Sequence, residues 1–228
     1  MTEENMPYLH IAIDGPAGAG KSTIAKAVAR ALSIPYLDTG AMYRTLALYA
    51  IENGVDPRDA GGVMRLLPGA DVRVAYESGV QHMLLNGEDV TSRLRTPELS
   101  RGASDIGVHP AVREKLVELQ RQIAQNGSVV MDGRDIGTVV MPRAEHKFFI
   151  TASVRERARR RMMEMEHRGE TPPPLEEMER TIAARDHTDS TRAAAPLRQA
   201  EDAVLVDTTS LTARQSAALV LERIRGGK

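Results

Sequence analysis

Gly15-Pro16-Ala17-Gly18-Ala19-Gly20-Lys21-Ser22 is the stretch on which the reading of this chain turns. It fits the pattern G-x-x-x-x-G-K-[ST] without a mismatch. On its N-terminal side, Tyr8 to Ile13 is a short apolar run that ends at Asp14 and predicts a strand. On its C-terminal side, Ser22 to Leu32 places Ile24, Ala25, Val28, Ala29 and Leu32 at helical spacing. Strand, glycine loop and helix together form the setting in which this pattern binds phosphate. Gly15, Gly18 and Gly20 allow backbone conformations closed to other residues and a close approach to phosphate oxygens. Successive NH groups and the positive end of the helix then hold the anion. The expected nucleotide-binding set is Gly15, Ala17, Gly18, Ala19, Gly20, Lys21, Ser22 and Thr23. Lys21 would reach the β and γ phosphates and the Ser22 hydroxyl would bind Mg²⁺, so ATP and Mg²⁺ are the expected cofactors. The competing reading, a chance glycine turn beside a surface lysine, does not account for the flanking strand and helix.

Working outward, Asp56, Pro57 and Asp59 predict an N-cap, a first-turn proline and a first-turn acid, for a helix running to about Leu67 before Pro68 and Gly69. The pattern then changes. DVRVAY, ESG, VQHMLL, Asn86-Gly87 and EDVTS alternate and are broken by two turn signals, which predicts a small antiparallel meander. Beyond it come a helix from Pro110 to about Asn126, a buried strand SVVMD and a strand HKFFI. They are followed by helices from about Val154 and Leu175, a strand AVLVD and a closing helix from about Leu211. The expected fold class is α/β, a three-layer parallel-sheet core of P-loop type with a small antiparallel β insert and a helical lid. The expected division is a core of about 1–67 and 105–228, an insert of about 68–104 and a lid of about 157–174.

Composition narrows the function classes. The chain has 228 residues, no Cys and a formal net charge of −1. Disulfides and thiolate metal sites are excluded, and an unstapled chain of this size is most at home in a reducing cytosol. The stretch MTEENMPYLH has no apolar run of the export type, and no segment approaches the length of a membrane span. The Arg155, Arg157, Arg159, Arg160, Arg161 run has no interleaved aromatics and the chain as a whole is not basic, which argues against a nucleic-acid polymer as partner. A cytoplasmic monomer acting on small molecules is expected.

A phosphate-binding loop does not name a reaction, since switches, motors and small-molecule kinases all use one. No Asn-Lys-x-Asp motif of the GTPase type is present. Three further segments are informative: LDTGAMYR (Leu37 to Arg44), DGRDIGTVVMP (Asp132 to Pro142) and RDHTDSTRAAAPL (Arg185 to Leu197). Together with GPAGAGKST they resemble cytidylate kinase of the bacterial type, in the right order and over most of the chain. The meander from about Asp71 to Ser92 resembles the enlarged acceptor-binding insert of that family, which the shorter eukaryotic UMP/CMP kinases lack.

The resemblance implies roles residue by residue. Asp132 ends a buried strand, where a carboxylate can take a water of the Mg²⁺ shell; as an Asp-Gly pair it could equally cap a turn. Thr39, Arg44 and Arg134 would hold the acceptor phosphate, and Arg185, Asp189 and Arg192 would contact phosphate and sugar. The last three would share one face of a continuous helix. Ser104, Arg113 and Asp135 match the cytosine-reading positions. Arg157 and Arg161, on what looks like the lid helix, would reach the transferring phosphoryl together with Lys21, Arg134 and Arg185. Asp38 is a candidate N-cap and Tyr43 a packing residue. The implied activity is ATP-dependent phosphorylation of CMP, and of dCMP, with no membrane or polymer partner. A kinase for another small acceptor such as UMP, and a nucleotide switch without transfer, remain open from the residues alone.

Overall fold

The computed structural model describes residues 8–226, so most of the stretch MTEENMPYLH lies outside the described residues. β1 (His10–Asp14) runs into the phosphate-binding loop and α1 (Lys21–Leu32). β2 (Tyr36–Asp38), α2 (Thr39–Glu52) and α3 (Ala60–Leu66) lead to the small strands β3 (Val72–Glu77), β4 (Val80–Leu85) and β5 (Glu88–Asp89). α4 (Pro97–Ile106), α5 (Pro110–Gln125) and β6 (Val129–Gly133) follow, then a single π-helical turn at Ile136–Val140. The chain closes with β7 (His146–Thr151), α6 (Val154–His167), α7 (Leu175–Thr191), β8 (Val204–Asp207) and α8 (Ala213–Arg225).

The main sheet has the order β2-β6-β1-β7-β8 and is parallel throughout. Both faces are covered, and strand alternation divides the core in two. Ile11, Ile13, Val130, Phe148 and Ile150 point to the side of Ile24, Val28 and Val220, on α1 and α8. Ala12, Leu37, Val129 and Met131 point to the other side, with Met42 and Leu46 of α2 and Leu116 of α5. The central strands read as continuous apolar runs for that reason. β1 lies at the middle of the sheet, so its carboxyl end delivers the phosphate-binding loop to the centre of one sheet edge.

The meander forms as expected, with two-residue turns at Ser78-Gly79 and Asn86-Gly87, where all four φ angles are positive. Its inner residues Val72, Met83 and Leu85 join the core that α2 and α5 line, so the insert is packed on the core. It also grips the end of β2. Gln81 accepts from the Asp38 amide at 2.7 Å and donates to the Asp38 carbonyl at 3.3 Å. α4 packs on α2, and the expected insert boundary at 104 and 105 falls inside that helix.

Two expectations need correction. No helix starts at Asp56: its carboxylate is taken by the Arg58 amide and guanidinium in a local turn, and α3 begins four residues later at Ala60. Arg192 does not lie on the helix that carries Arg185 and Asp189. α7 ends at Thr191, and Arg192 adopts φ −58° and ψ 142° as the chain folds back to place the Leu197 amide on the Asp189 carbonyl at 2.7 Å. Among the described residues no helix is long and apolar enough to cross a membrane.

Candidate functional site

The phosphate-binding loop is shaped by close backbone contact with β7. Gly15 has φ 145°, and a Cβ there would lie 1.9 Å from the Ile150 carbonyl oxygen, so no other residue fits. Gly20, at φ 89°, precedes α1 and supplies no side-chain cap, which leaves the first amides of the helix to an outside acceptor. The Lys21 ammonium is buried and donates to the Pro16 carbonyl at 2.7 Å. Burial, then the nearby Arg134 cation, pulls its pKa down to about 7. A group held that far below its ordinary value favours any arriving anion that restores the charge.

Asp132, at the end of β6, is gripped from three sides. Its carboxylate accepts from Ser22 Oγ at 2.9 Å and from the Tyr36 hydroxyl at 2.6 Å, and its carbonyl accepts from Thr39 Oγ1 at 2.8 Å. Burial and then the Asp38 charge push its carboxyl above the usual range. A hydroxyl and a buried carboxylate side by side at the mouth of the loop form an oxygen donor set suited to a hard divalent cation, whose charge would relieve that strain. These residues therefore fit Mg²⁺.

A cluster of arginines faces this loop. Arg134 donates to Asp189 at 2.8 Å, and Arg44 to Asp38 at 2.8 Å, where Asp38 also caps α2 through the Ala41 amide. Against the upward push of burial, Arg134 holds the Asp189 carboxyl below its ordinary range. Arg185 is pulled down to about 10 by burial and then by Arg134, with Arg44 and Arg161 acting in the same direction. The Nε atoms of Arg185 and Arg44 are buried without a hydrogen-bond partner. Cations crowded until one is depressed, with donors left over, are arranged for a polyanion.

Beyond the arginines lies a second, drier group. Arg113 is buried, paired with Asp135, and stacks on the Tyr43 ring at 5.5 Å. Its guanidinium also donates to the Gly107 carbonyl at 3.2 Å, and Arg192 stands 3.8 Å from both Asp135 and Asp189. A methyl on Gly107 would meet the Ala103 carbonyl oxygen at 2.8 Å and the Tyr43 ring at 3.5 Å, so the end of α4 is packed against Tyr43. The Ser104 hydroxyl is buried and unpartnered. The Asp135 carboxylate and the Arg113 and Arg192 guanidiniums thus offer both acceptors and donors in one buried place.

α6 and α7 form a hairpin with its own small core of Ala158, Met178 and Ile182. Arg157 is buried at its base, donating to the Ala152 and Ala17 carbonyls at 2.9 and 3.2 Å and pairing with Asp186. Arg161 is half-buried and pairs with Glu164. Arg160, not singled out in the sequence, donates to the Thr208 carbonyl at 2.6 Å beside the loop carbonyl of Ala19. Tyr36 and Asp14 were also missed. The carboxylate of Asp14 accepts from the Ile136 and Gly137 amides at 2.8 and 2.7 Å, and burial pushes it up to about 6. All three act through tertiary contacts that no local pattern announces.

The family model described as cytidylate kinase matches residues 11–226. A cytidylate kinase from Carboxydothermus hydrogenoformans is 50% identical over 216 residues, 95% of this chain and 97% of the relative. One from Geobacillus thermodenitrificans is 50% identical over 212 residues, covering 93% and 94%. Among solved structures, an uncharacterised protein from Eubacterium ventriosum shares the fold at a TM-score of 0.54 and 12% identity, covering 96% of this chain and 99% of that one. With a family model spanning almost the whole chain and relatives at half identity over nearly their full length, this chain belongs to the cytidylate kinase family.

Proposed function

We propose that the chain transfers the γ-phosphoryl group of ATP to a phosphate oxygen of CMP, giving ADP and CDP, and that dCMP is used in the same way. The observation that carries this is the pairing of two sites on one sheet edge. A phosphate loop with surplus arginines adjoins a buried group of Arg113, Asp135 and Arg192 that can read a base edge, and Ser104 is assigned to the same task. In this reading Gly15, Ala17, Gly18, Ala19, Gly20, Lys21, Ser22 and Thr23 hold the donor triphosphate. Thr39, Arg44, Arg134, Arg185 and Arg192 hold the acceptor phosphate, and Asp189 meets the ribose.

The acceptor oxygen belongs to a phosphate and is already ionised near neutral pH, so no general base is required. Catalysis reduces to holding donor and acceptor in line and neutralising charge that shifts between them. Lys21, Arg134 and Arg185 supply that neutralisation from fixed positions. Ser22 directly, and Asp132 through water, would hold Mg²⁺, which would supply positive charge against the donor phosphates. Tyr36 and Ser22 orient the Asp132 carboxylate for that task.

Water in the cleft would intercept the phosphoryl group, so the segment of about 157–174 is assigned as a lid. Arg157 and Arg160 anchor its base on the loop, so the contact with the transferred group expected of both Arg157 and Arg161 is left to Arg161, which would exchange its Glu164 pair for it. The core of about 1–67 and 105–228 stays fixed, and the insert of about 68–104 closes over the acceptor. The protein is proposed to work in the cytosol as a monomer, with no membrane or nucleic-acid polymer as partner.

Coupled detection of ADP across CMP, dCMP, UMP and AMP tests the proposal. CMP-dependent ADP release, with UMP far less effective, is expected. Equal release with every monophosphate would reject base reading, and release without any acceptor would reject transfer.

A further inference from the structure

The turn that follows Asp135 is capped from another strand. Ile136–Val140 is one π-helical turn, closed by the Asp135 carbonyl, which accepts from the Val139 and Val140 amides at 2.8 and 3.2 Å. An aspartate at the head of a helical turn ordinarily folds its carboxylate onto the amides just ahead of it. The Asp135 carboxylate makes no such bond. The amides of Ile136 and Gly137 donate to Asp14 instead, at the end of β1, 4% exposed and directly ahead of Gly15. The Asp135 side chain is thereby left to Arg113, with Arg192 at 3.8 Å.

We propose that Asp14 is a positioning residue for base recognition. By capping the Ile136–Val140 turn from across the sheet, it frees the Asp135 carboxylate to face the acceptor base and fixes its height relative to the phosphate-binding loop. The inference rests on the reading of Asp135 given above. Two features fit it. Gly137 is packed closely enough that an added methyl would meet Lys147 Cδ at 3.2 Å and Asp14 Oδ2 at 3.4 Å, so the turn has little room to settle elsewhere. Burial pushes the Asp14 carboxyl up to about 6, so a charge is kept there at a cost that an ordinary strand end would avoid. Asp14 adjoins Gly15, but its carboxylate is spent on the Ile136 and Gly137 amides and not on the phosphate-binding loop, so the effects on base reading and on ATP can be told apart.

The test is steady-state kinetics on Asp14→Asn beside Asp135→Ala, with CMP and UMP as acceptors and ATP varied separately. Asn keeps one acceptor and turns a donor toward the second amide. Losing a charge-assisted hydrogen bond of this kind corresponds to roughly a ten- to hundredfold effect. The KM for CMP should rise by that factor, the preference for CMP over UMP should fall in proportion, and the KM for ATP should move by less than about threefold. An ATP KM that rises in step would make Asp14 a mere prop of the phosphate loop and overturn the proposal. So would an unchanged base preference in Asp14→Asn when Asp135→Ala loses it. An unchanged preference in Asp135→Ala would remove the reading of Asp135 and this inference with it. If Asp14→Asn does not fold, Asp14→Glu keeps the charge but displaces the cap and must show the same split; equal loss toward ATP and CMP there would overturn the proposal.

Discussion

The proposed donor and acceptor halves of the site are built in opposite ways. The donor half is one continuous loop, Gly15 to Ser22, whose recognition groups are backbone amides and a single lysine. The acceptor half is assembled from side chains on α2, α4, α5, α7 and the turn after β6, held by ion pairs such as Arg113 with Asp135 and Arg134 with Asp189. A phosphate is the same in every nucleotide, so a generic backbone cradle suffices. A base must be told from its relatives, and that takes donors and acceptors set individually in a dry pocket. Damage to the donor half should therefore reduce all turnover alike, while damage to the acceptor half should change which substrate is used.

The largest expected effect is Lys21→Met. Removing a buried cation that balances transition-state charge should cut turnover by about a thousandfold or more with every acceptor, leaving the CMP to UMP ratio alone. A folded Lys21→Met protein with near-normal kcat, or a changed ratio, would break the contrast. Next comes Asp135→Ala. Cytosine presents an N4 donor and N3 acceptor where uracil reverses them, and Asp135 with Ser104 can accept from N4 while Arg113 donates to N3 or O2. Hydrogen-bonding sites discriminate by factors on the order of 10⁴, so most of the CMP preference should vanish while ATP affinity is kept. A preserved preference measured as a ratio of kcat/KM values would count against these residues.

A third expectation concerns pH. Asp14 in the folded chain sits at about 6 against an ordinary 3.8 because burial disfavours its charge. The fold binds this proton more tightly than the unfolded chain does. The stability it contributes is therefore complete below about pH 4 and is lost as pH rises through 6, to a total on the order of 3 kcal/mol. Denaturant unfolding of the wild type and Asp14→Asn should show the difference between them shrinking in the wild type's disfavour from pH 4.5 to 7. A difference independent of pH would show that Asp14 is not held in this way. The smallest effect is in the lid, where CMP with a non-hydrolysable ATP analogue should slow hydrogen exchange over residues 157–171 more than either ligand alone. Equal protection with and without ligands would leave α6 and α7 as a static hairpin.

The same contrast explains what could be read from sequence. The phosphate loop was legible because eight consecutive residues carry the whole signal, and the meander because Asn86-Gly87 specifies its turn locally. The helix expected at Asp56 failed on local grounds too, since an aspartate that can cap can also close a turn on Arg58. On the acceptor side, family resemblance supplied Arg134, Asp189 and Arg192, but spacing alone placed Arg192 on a helix that ends before it. The parts played by Asp14, Tyr36 and Arg160 were not legible, although Arg160 lies in the arginine run and Asp14 ends the first strand, because each gains its part from a residue nearly 50 or more positions away: Ile136, Asp132 and Thr208. Packing brings these pairs together, and packing is what periodicity cannot report.

Direct transfer between two bound nucleotides can be followed with ATP carrying ³²P in its γ-phosphate during turnover with CMP. The label is expected in the β-phosphate of CDP, in step with ADP, and an equal concentration of UMP should accept little of it. Label released as inorganic phosphate, or ADP formed at the same rate with CMP omitted, would contradict direct transfer.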